Sequence, residues 1–248
     1  ELRVAWHDQV GDFGYGASFN VSDYTSKMGD LSGTVFLGDQ IIREGSEYNE
    51  WYGYVSDGLF QTQEEVDNSA LLISSNKPGD VKYKDISGPD GVPDGKIDAT
   101  YDKVLLGSSL PHYMFGGTLD FSYKNFAVSV MFNGVGKQKS RMPIEMVQPF
   151  EGKWLSPPAM LKGNYWSVYN TPEQNLAARY PRLSESSLDA NYAMSDFWLF
   201  NGAYFRLQNV NISYTLPKKL LKPTMLKDVR FYLSGQDLFT IDHYPAGW

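Results

Sequence analysis

The chain has 248 residues and a formal net charge of −7, room for one large β-domain or two small ones. It contains no Cys, which excludes disulfides, thiolate metal sites and a Cys nucleophile, and its His residues (His7, His112, His243) lack ligand-like spacing, which argues against a zinc enzyme. The acidic balance argues against nucleic acid as a partner, and no run of about eighteen apolar residues is present to form a transmembrane helix, an absence that says nothing against strands.

Residues Leu2 to His7 read as a strand, and Gly11, Asp12 and Gly14 supply a turn. From Tyr15 to Tyr24 the pattern alternates, with Tyr15, Ala17, Phe19 and Val21 against Ser18, Asn20 and Ser22. It is lost around Met28 to Gly38. A strand pair is expected between Val35 and Val55, bent at Gly45 and Gly53. Thr62-Gln63-Glu64-Glu65 fits a capping box, which predicts a short helix ending near Asn68 to Ser69.

Pro78 to Asp102 is rich in Asp. Asp85, Ser87, Asp90, Asp94, Lys96, Asp98 and Asp102 resemble an interrupted calcium loop, because short oxygen-bearing side chains at alternate positions can converge on one point. Gly residues permit the bend, and Ile97 would anchor the loop. The inserted GPDGVP and the missing terminal Glu depart from the usual loop pattern. A polar turn held by side chain to main chain bonds is the other reading.

His112 to Asn133 is the clearest stretch. Tyr113, Phe115, Gly117, Leu119, Phe121 and Tyr123 alternate with Met114, Gly116, Thr118, Asp120 and Ser122; after a tight turn at Lys124-Asn125, Phe126, Val128, Val130 and Phe132 alternate with Ala127, Ser129, Met131 and Asn133. This is a hairpin of strands about ten residues long, the length of a tilted membrane strand. One face is apolar and the other polar, so the apolar face meets either lipid or a soluble core. The residues from Gly136 to Asp196 form a long irregular segment with a short helix expected at Ala159 to Tyr169. Tyr204 to Leu216 and Val229 to Thr240 form the last strand pair, with Gln208, Val210, Ile212, Tyr214 and Leu216 on one face of the first. A basic connection, Pro217 to Asp228, joins them. Aromatic residues are 15% of the chain, fitting either membrane-interface girdles or aromatic cross-strand pairs.

Several runs then carry a resemblance. YGYVSDGLFQTQEEVDN (Tyr52 to Asn68), PGDVKYKDISGPDG (Pro78 to Gly91), DKVLLGSSLPHYMFGG (Asp102 to Gly117), ARYPRL (Ala178 to Leu183), SDFWLFNGAYFRLQNVNISYTLPKKLL (Ser195 to Leu221) and RFYLSGQDLFTIDHYPAGW (Arg230 to Trp248) resemble the C-terminal barrel of SusC-type TonB-dependent outer-membrane transporters of Bacteroidetes. The resemblance covers almost the whole chain. It implies an all-β fold, part of a large antiparallel transmembrane β-barrel of twenty-two strands with long extracellular loops. It also implies a SusD-like surface lipoprotein as lid, energy from the TonB complex through an N-terminal plug, and oligosaccharide or peptide as substrate. The Asp-rich loop (78–102) would be a calcium-type structural feature on the extracellular side, and 136–196 a long extracellular loop. The plug and the closing strand are not in this sequence. It reads as a portion of a longer chain, about a third of a barrel, whose two open sheet edges lipid would not tolerate alone.

Three functional readings follow. In the first, the chain is part of an importer without covalent chemistry, where Trp154, Tyr165, Trp166 and Tyr169 stack on sugar faces at the external mouth or else pack the long loop. In the second it is a soluble calcium-dependent carbohydrate-binding β-sandwich. A glycoside hydrolase is the third, and it needs two carboxyls about 5 to 10 Å apart across a cleft, a distance that sequence does not give.

Overall fold

A computed structural model describes residues 1–150, 156–185, 188–222 and 225–245. The strands in chain order are β1 (Leu2–Val10), β2 (Phe13–Ser22), β3 (Val35–Leu37), β4 (Gln40–Ile42), β5 (Glu50–Gly53), β6 (Ser56–Leu59), β7 (Val81–Tyr83), β8 (Val104–Ser108), β9 (His112–Tyr123), β10 (Phe126–Lys137), β11 (Lys139–Arg141), β12 (Leu199–Asn201), β13 (Tyr204–Thr215) and β14 (Arg230–Asp242). The helices are short: α1 (Gln63–Asp67), α2 (Pro172–Leu176), α3 (Leu188–Asn191) and α4 (Lys218–Leu221). The chain divides into two compact units. One is Glu1–Thr25, Pro111–Gln138 and Asn201–His243, and the other takes the remainder.

The first unit is a six-stranded antiparallel sheet in the order β1-β2-β9-β10-β13-β14. A strand of 12 residues such as β9 climbs roughly 30 Å at a barrel-like tilt, enough to cross the hydrocarbon core. The register sorts its side chains by depth. Val10, Phe13, Tyr123, Phe126, Tyr214 and Phe231 form an aromatic row beside the tight turns. Trp6, Ala17, Leu119, Val130, Val210 and Gly235 form a mostly aliphatic row in the middle. Phe19, Gly117, Phe132, Leu207 and Phe239 form a second aromatic row further on. Two aromatic girdles around an aliphatic band is the pattern of a lipid-facing barrel wall. The face is open, with Trp6 63% and Leu233 72% exposed. A soluble sandwich would cover such a face with a second sheet, so the soluble reading loses its support.

Gly117 and Gly134 lie opposite Phe132 and Phe115, whose rings fill the space where a Cβ would stand. Cross-strand aromatic cover of this kind compensates the missing side chain of a strand glycine.

On the opposite face the row His7, Gly16, Asp120, Ser129, Asn211 and Ser234 is polar. Ser18 and Thr118 hydroxyls meet at 2.7 Å, and Ser129 donates to Asp120 Oδ1 at 2.6 Å. One expectation fails here. Gln208 does not sit with Val210; a bulge between Leu207 and Asn209 resets the alternation. Phe205 and Leu207 thereby join the apolar face, while Gln208 accepts from Asn133 Nδ2 at 3.1 Å on the polar one.

Short turns join β1 to β2 and β9 to β10, with Gly11 at φ 61° and Lys124 at φ 53°. Both long insertions, residues 23–111 and 138–203, leave from the other end of the sheet, where Ser22 pairs with Met114 and Val135 with Tyr204. Six of a barrel's twenty-two strands is nearer a quarter than the expected third.

The second unit is built from those insertions. The sheet β3-β4-β5-β8 replaces the expected simple strand pair, because β5 pairs on to β8. Thr62 caps α1 by accepting from Glu65 N, but Glu65 returns its carboxylate to Gln61 N, one residue before the cap. At Ala159–Leu161 only a single 3-10 turn forms, followed by chain that carries no helix until α2. The full capping box is at Thr171 and Gln174, ahead of α2. One core gathers Met142, Val147, Leu161, Tyr180, Tyr192, Trp198 and Phe200; another gathers Tyr54, Leu59, Val81, Tyr83, Ile97 and Trp166.

Candidate functional site

The Asp-rich loop is organised by its own main chain. Asp102 is fully buried; its Oδ1 accepts from Ile86 N at 2.7 Å and Ser87 N at 3.2 Å, and its Oδ2 from Asp98 N at 2.8 Å. Asp98 Oδ1 accepts from Thr100 N and Tyr101 N, and Asp94 Oδ1 from Lys96 N. Asp85 Oδ2 accepts from Gly95 N at 2.6 Å, pulling the two arms of the loop together across the GPDGVP insertion. Gly88 permits this, since a Cβ there would strike Asp94 at 2.7 Å. Ile97 is buried in the second core and anchors the loop. Asp90 and Lys96 are exposed and Ser87 is half-buried. Among the described residues no three His, Cys, Asp or Glu side chains gather as a metal-holding group. One feature does suit a cation: Asp85 Oδ1 is shielded from solvent and has no hydrogen-bond partner.

The four aromatic candidates are placed differently from one another. Trp166 is 7% exposed, lies in the second core and donates its Nε1 proton to Gln61 Oε1. It is a packing residue rather than a stacking platform. Tyr165 is half-buried and packs on the first core. Tyr169 is 95% exposed. Trp154 lies outside the described residues.

Sequence reasoning missed the polar centre of this unit. Asp80 is fully buried and receives Arg182 Nε at 2.7 Å and Nη2 at 3.3 Å, Asn191 Nδ2 at 3.0 Å and Lys77 N at 2.9 Å. Asn191 Oδ1 in turn accepts from Val81 N, and Tyr83 Oη donates to Ala190 O at 2.7 Å. Asp80 belongs to the first insertion, Arg182 and Asn191 to the second, so this cluster ties the two together. The runs PGDVKYKD and ARYPRL were its signal, although nothing in either says that they meet.

Burial pushes the phenol pKa values of Tyr83 and Tyr192 well above the ordinary value. Tyr54 is raised too, first by burial and then by the charges of Asp102 and Asp98. Just past β2, Asp23 accepts a hydrogen bond from the His112 ring at 2.8 Å, which holds its carboxyl below the usual range.

These features define a class: a segment of an antiparallel transmembrane β-barrel wall, with a second packed unit built from its two long insertions. No protein-family model matches the chain. It is 30% identical over 248 residues to TonB-dependent receptor P3 of Formosa agariphila, covering 95% of this chain and 23% of that protein. It is 27% identical over 242 residues to TonB-dependent receptor P26 of the same organism, covering 93% and 23%. The RagAB peptide importer in the open-open state superposes with a TM-score of 0.71 at 17% identity, over 98% of this chain and 25% of that one. The closed-closed state gives 0.69 at 17%, with the same coverage. The chain thus spans about a quarter of the length of the relatives it matches. The fold is theirs, and the comparisons bear out the resemblance to a SusC-type TonB-dependent transporter for this portion of the barrel. These relatives are named as receptors and importers, not enzymes.

Proposed function

We propose that the chain is part of a TonB-dependent importer that carries oligosaccharide or peptide nutrients across the outer membrane, with a SusD-like lipoprotein as its lid and the TonB complex driving a plug. The observation that carries this reading is the two-faced sheet: aromatic girdles and an aliphatic band on one side, a hydrogen-bonding wall on the other. Its short turns and both long insertions lie at opposite ends, as in barrels with short periplasmic turns and long outer loops. Names of relatives support the coarse activity, and a RagAB importer of peptides is among the structural neighbours. The chain supplies wall and outer insertions; no residue in it is assigned covalent chemistry.

A calcium-type cation would serve the outer insertion. Asp85 offers an unpartnered oxygen of the hard kind such an ion requires, and Asp90, Asp94, Asp98, Ser87 and the Lys96 carbonyl, which do not gather around it in this structure, would have to turn toward the ion as it binds. Asp102, spent on three main-chain N–H groups, would shape the loop.

The test is purification of the full-length protein from outer membranes in detergent, with uptake of its copurifying ligand followed in cells with and without TonB function. A lipoprotein retained through purification and uptake lost without TonB support the reading. A protein recovered in the soluble fraction refutes it. Adding calcium to chelator-treated protein should raise its melting temperature; no shift removes the cation from the account.

A further inference from the structure

One connection at the short-turn end of the six-stranded sheet is out of scale with its neighbours. Residues 11–12 join β1 to β2 and residues 124–125 join β9 to β10, whereas residues 216–229 separate β13 from β14. The hairpin itself does not need that length. Leu216 N still donates to Val229 O at 2.9 Å, so the two strands lie side by side where a tight turn could close them.

The connection is as distinct in charge as in length. It carries Lys218, Lys219, Lys222 and Lys227 against a single acid, Asp228, in a chain of net charge −7. All four lysines are exposed, and among the described residues none of them forms a salt bridge. The tight turns are balanced instead, with Lys124 Nζ 3.9 Å from Asp12 Oδ2. Apolar side chains stand exposed among the lysines: Leu220 at 61%, Leu226 at 58% and Met225 completely. Leu221 is buried and gives α4 its foothold.

The register places this connection next to the lipid-facing surface. Tyr214 and Phe231 belong to the aromatic row beside the turns, and alternation puts Leu216 and Val229 on the same face, one step nearer the rim. The Tyr214 and Phe126 rings pack with centroids 4.5 Å apart, so the row is continuous up to the strand end where the connection begins. A soluble polyanion would pair with the lysines and leave Leu220, Met225 and Leu226 in water. A lipid surface takes both, with the apolar side chains at the acyl boundary and the ammonium groups among the headgroups.

We infer that the β13–β14 connection rests on the membrane leaflet at the short-turn rim and binds anionic phospholipid headgroups through Lys218, Lys219, Lys222 and Lys227. The inference rests on the membrane wall and goes beyond the import reading, since it needs neither a particular nutrient nor TonB.

The experiment is hydrogen exchange, read by mass spectrometry, on the full-length protein in nanodiscs of phosphatidylcholine alone and of equal parts phosphatidylcholine and phosphatidylglycerol. Amides of 218–222 and 225–228 should exchange about tenfold or more slowly in the anionic discs, and the difference should shrink as salt rises. The balanced turns at 11–12 and 124–125 should not change. Combining Lys218→Gln, Lys219→Gln, Lys222→Gln and Lys227→Gln, all at exposed positions, should abolish the difference; Leu226→Ser should weaken it with the salt dependence kept. Equal exchange in the two discs, a difference that survives the four-lysine variant, or one shared by the tight turns overturns the inference. So does equal slowing by glycerol phosphate or peptidoglycan fragments added to discs of phosphatidylcholine alone, which would make a soluble anion the ligand. Uptake separates this from the import reading. TonB-dependent uptake with equal exchange removes the lipid contact and leaves the importer. The exchange difference without TonB-dependent uptake removes the importer and leaves the lipid contact.

Discussion

Replacing Asp80 with Ala takes away a fully buried carboxylate that joins the two insertions. Arg182 loses both of its bonds to that group, and Asn191 Nδ2 and Lys77 N lose their acceptor. The Arg182 side chain is 19% exposed, so water can reach its guanidinium only in part. Removing one partner of a buried pair costs about 3 to 5 kcal/mol. Each further stranded donor adds about 1 kcal/mol or more where water does not replace the acceptor. The expected loss is about 4 to 6 kcal/mol, felt as opening of the insertions and not as loss of the barrel wall. Native-state proteolysis of the full-length protein in detergent reads this local opening, because cleavage tracks the population of the open form when closing is fast. Arg182→Met strands the buried carboxylate instead. The double variant Asp80→Leu with Arg182→Met should recover much of the loss, since a buried pair is worth little against apolar residues of similar volume. A single Asp80→Ala variant within about 1 kcal/mol of the parent protein would refute the reasoning.

Other predictions test other links. Val130→Arg, in the middle of the aliphatic band, should destabilise the folded barrel by about 2 to 4 kcal/mol, while Ser129→Arg on the polar face should cost far less; urea unfolding from lipid vesicles checks the difference. Lys124→Gly relieves a left-handed residue at φ 53° and should stabilise the hairpin by about 0.5 to 1 kcal/mol in the same assay. Tyr83 and Tyr192 have phenol pKa values raised above those of the unfolded chain. A raised folded value gives stability that is whole below about pH 10 and lost as pH climbs above it, by about 1.4 kcal/mol per pH unit for each tyrosine. Absorbance at the tyrosinate band should therefore show these two titrating after the exposed tyrosines, together with loss of the insertion's structure. Loss of that structure well below pH 9 would contradict the assignment.

The long strands were legible because alternation is a local signal. A strand's side chains point to opposite faces by geometry alone, so Tyr113 to Phe132 declared both faces and the Lys124 turn between them. The bulge at Gln208 was not legible. One extra residue changes which face follows, and the choice depends on what β10 and β14 present opposite it. The helix expected from Ala159 to Tyr169 failed because the chain turns out of it at Gly163, φ 76°, and Tyr165 then bridges to Tyr180. The capping box at Thr171 has a local signature, a Thr with a Gln three residues on, but it went unread beside the one at Thr62. In the Asp-rich loop the residue types were evident, but their use was not: the same carboxylates can cap main-chain N–H groups or face an ion.

What the sequence determined by itself is the two-faced wall, its turns and its approximate strand bounds, because each depends on neighbours one or two residues away. What only the tertiary structure decided is the second unit, built from the two insertions. Asp80 and Arg182 are 102 residues apart, and Trp166 reaches Gln61 across 105. No local pattern encodes such a meeting. It is fixed by which buried charge finds a partner and which ring finds a cavity, and those choices are made only when both insertions fold on each other.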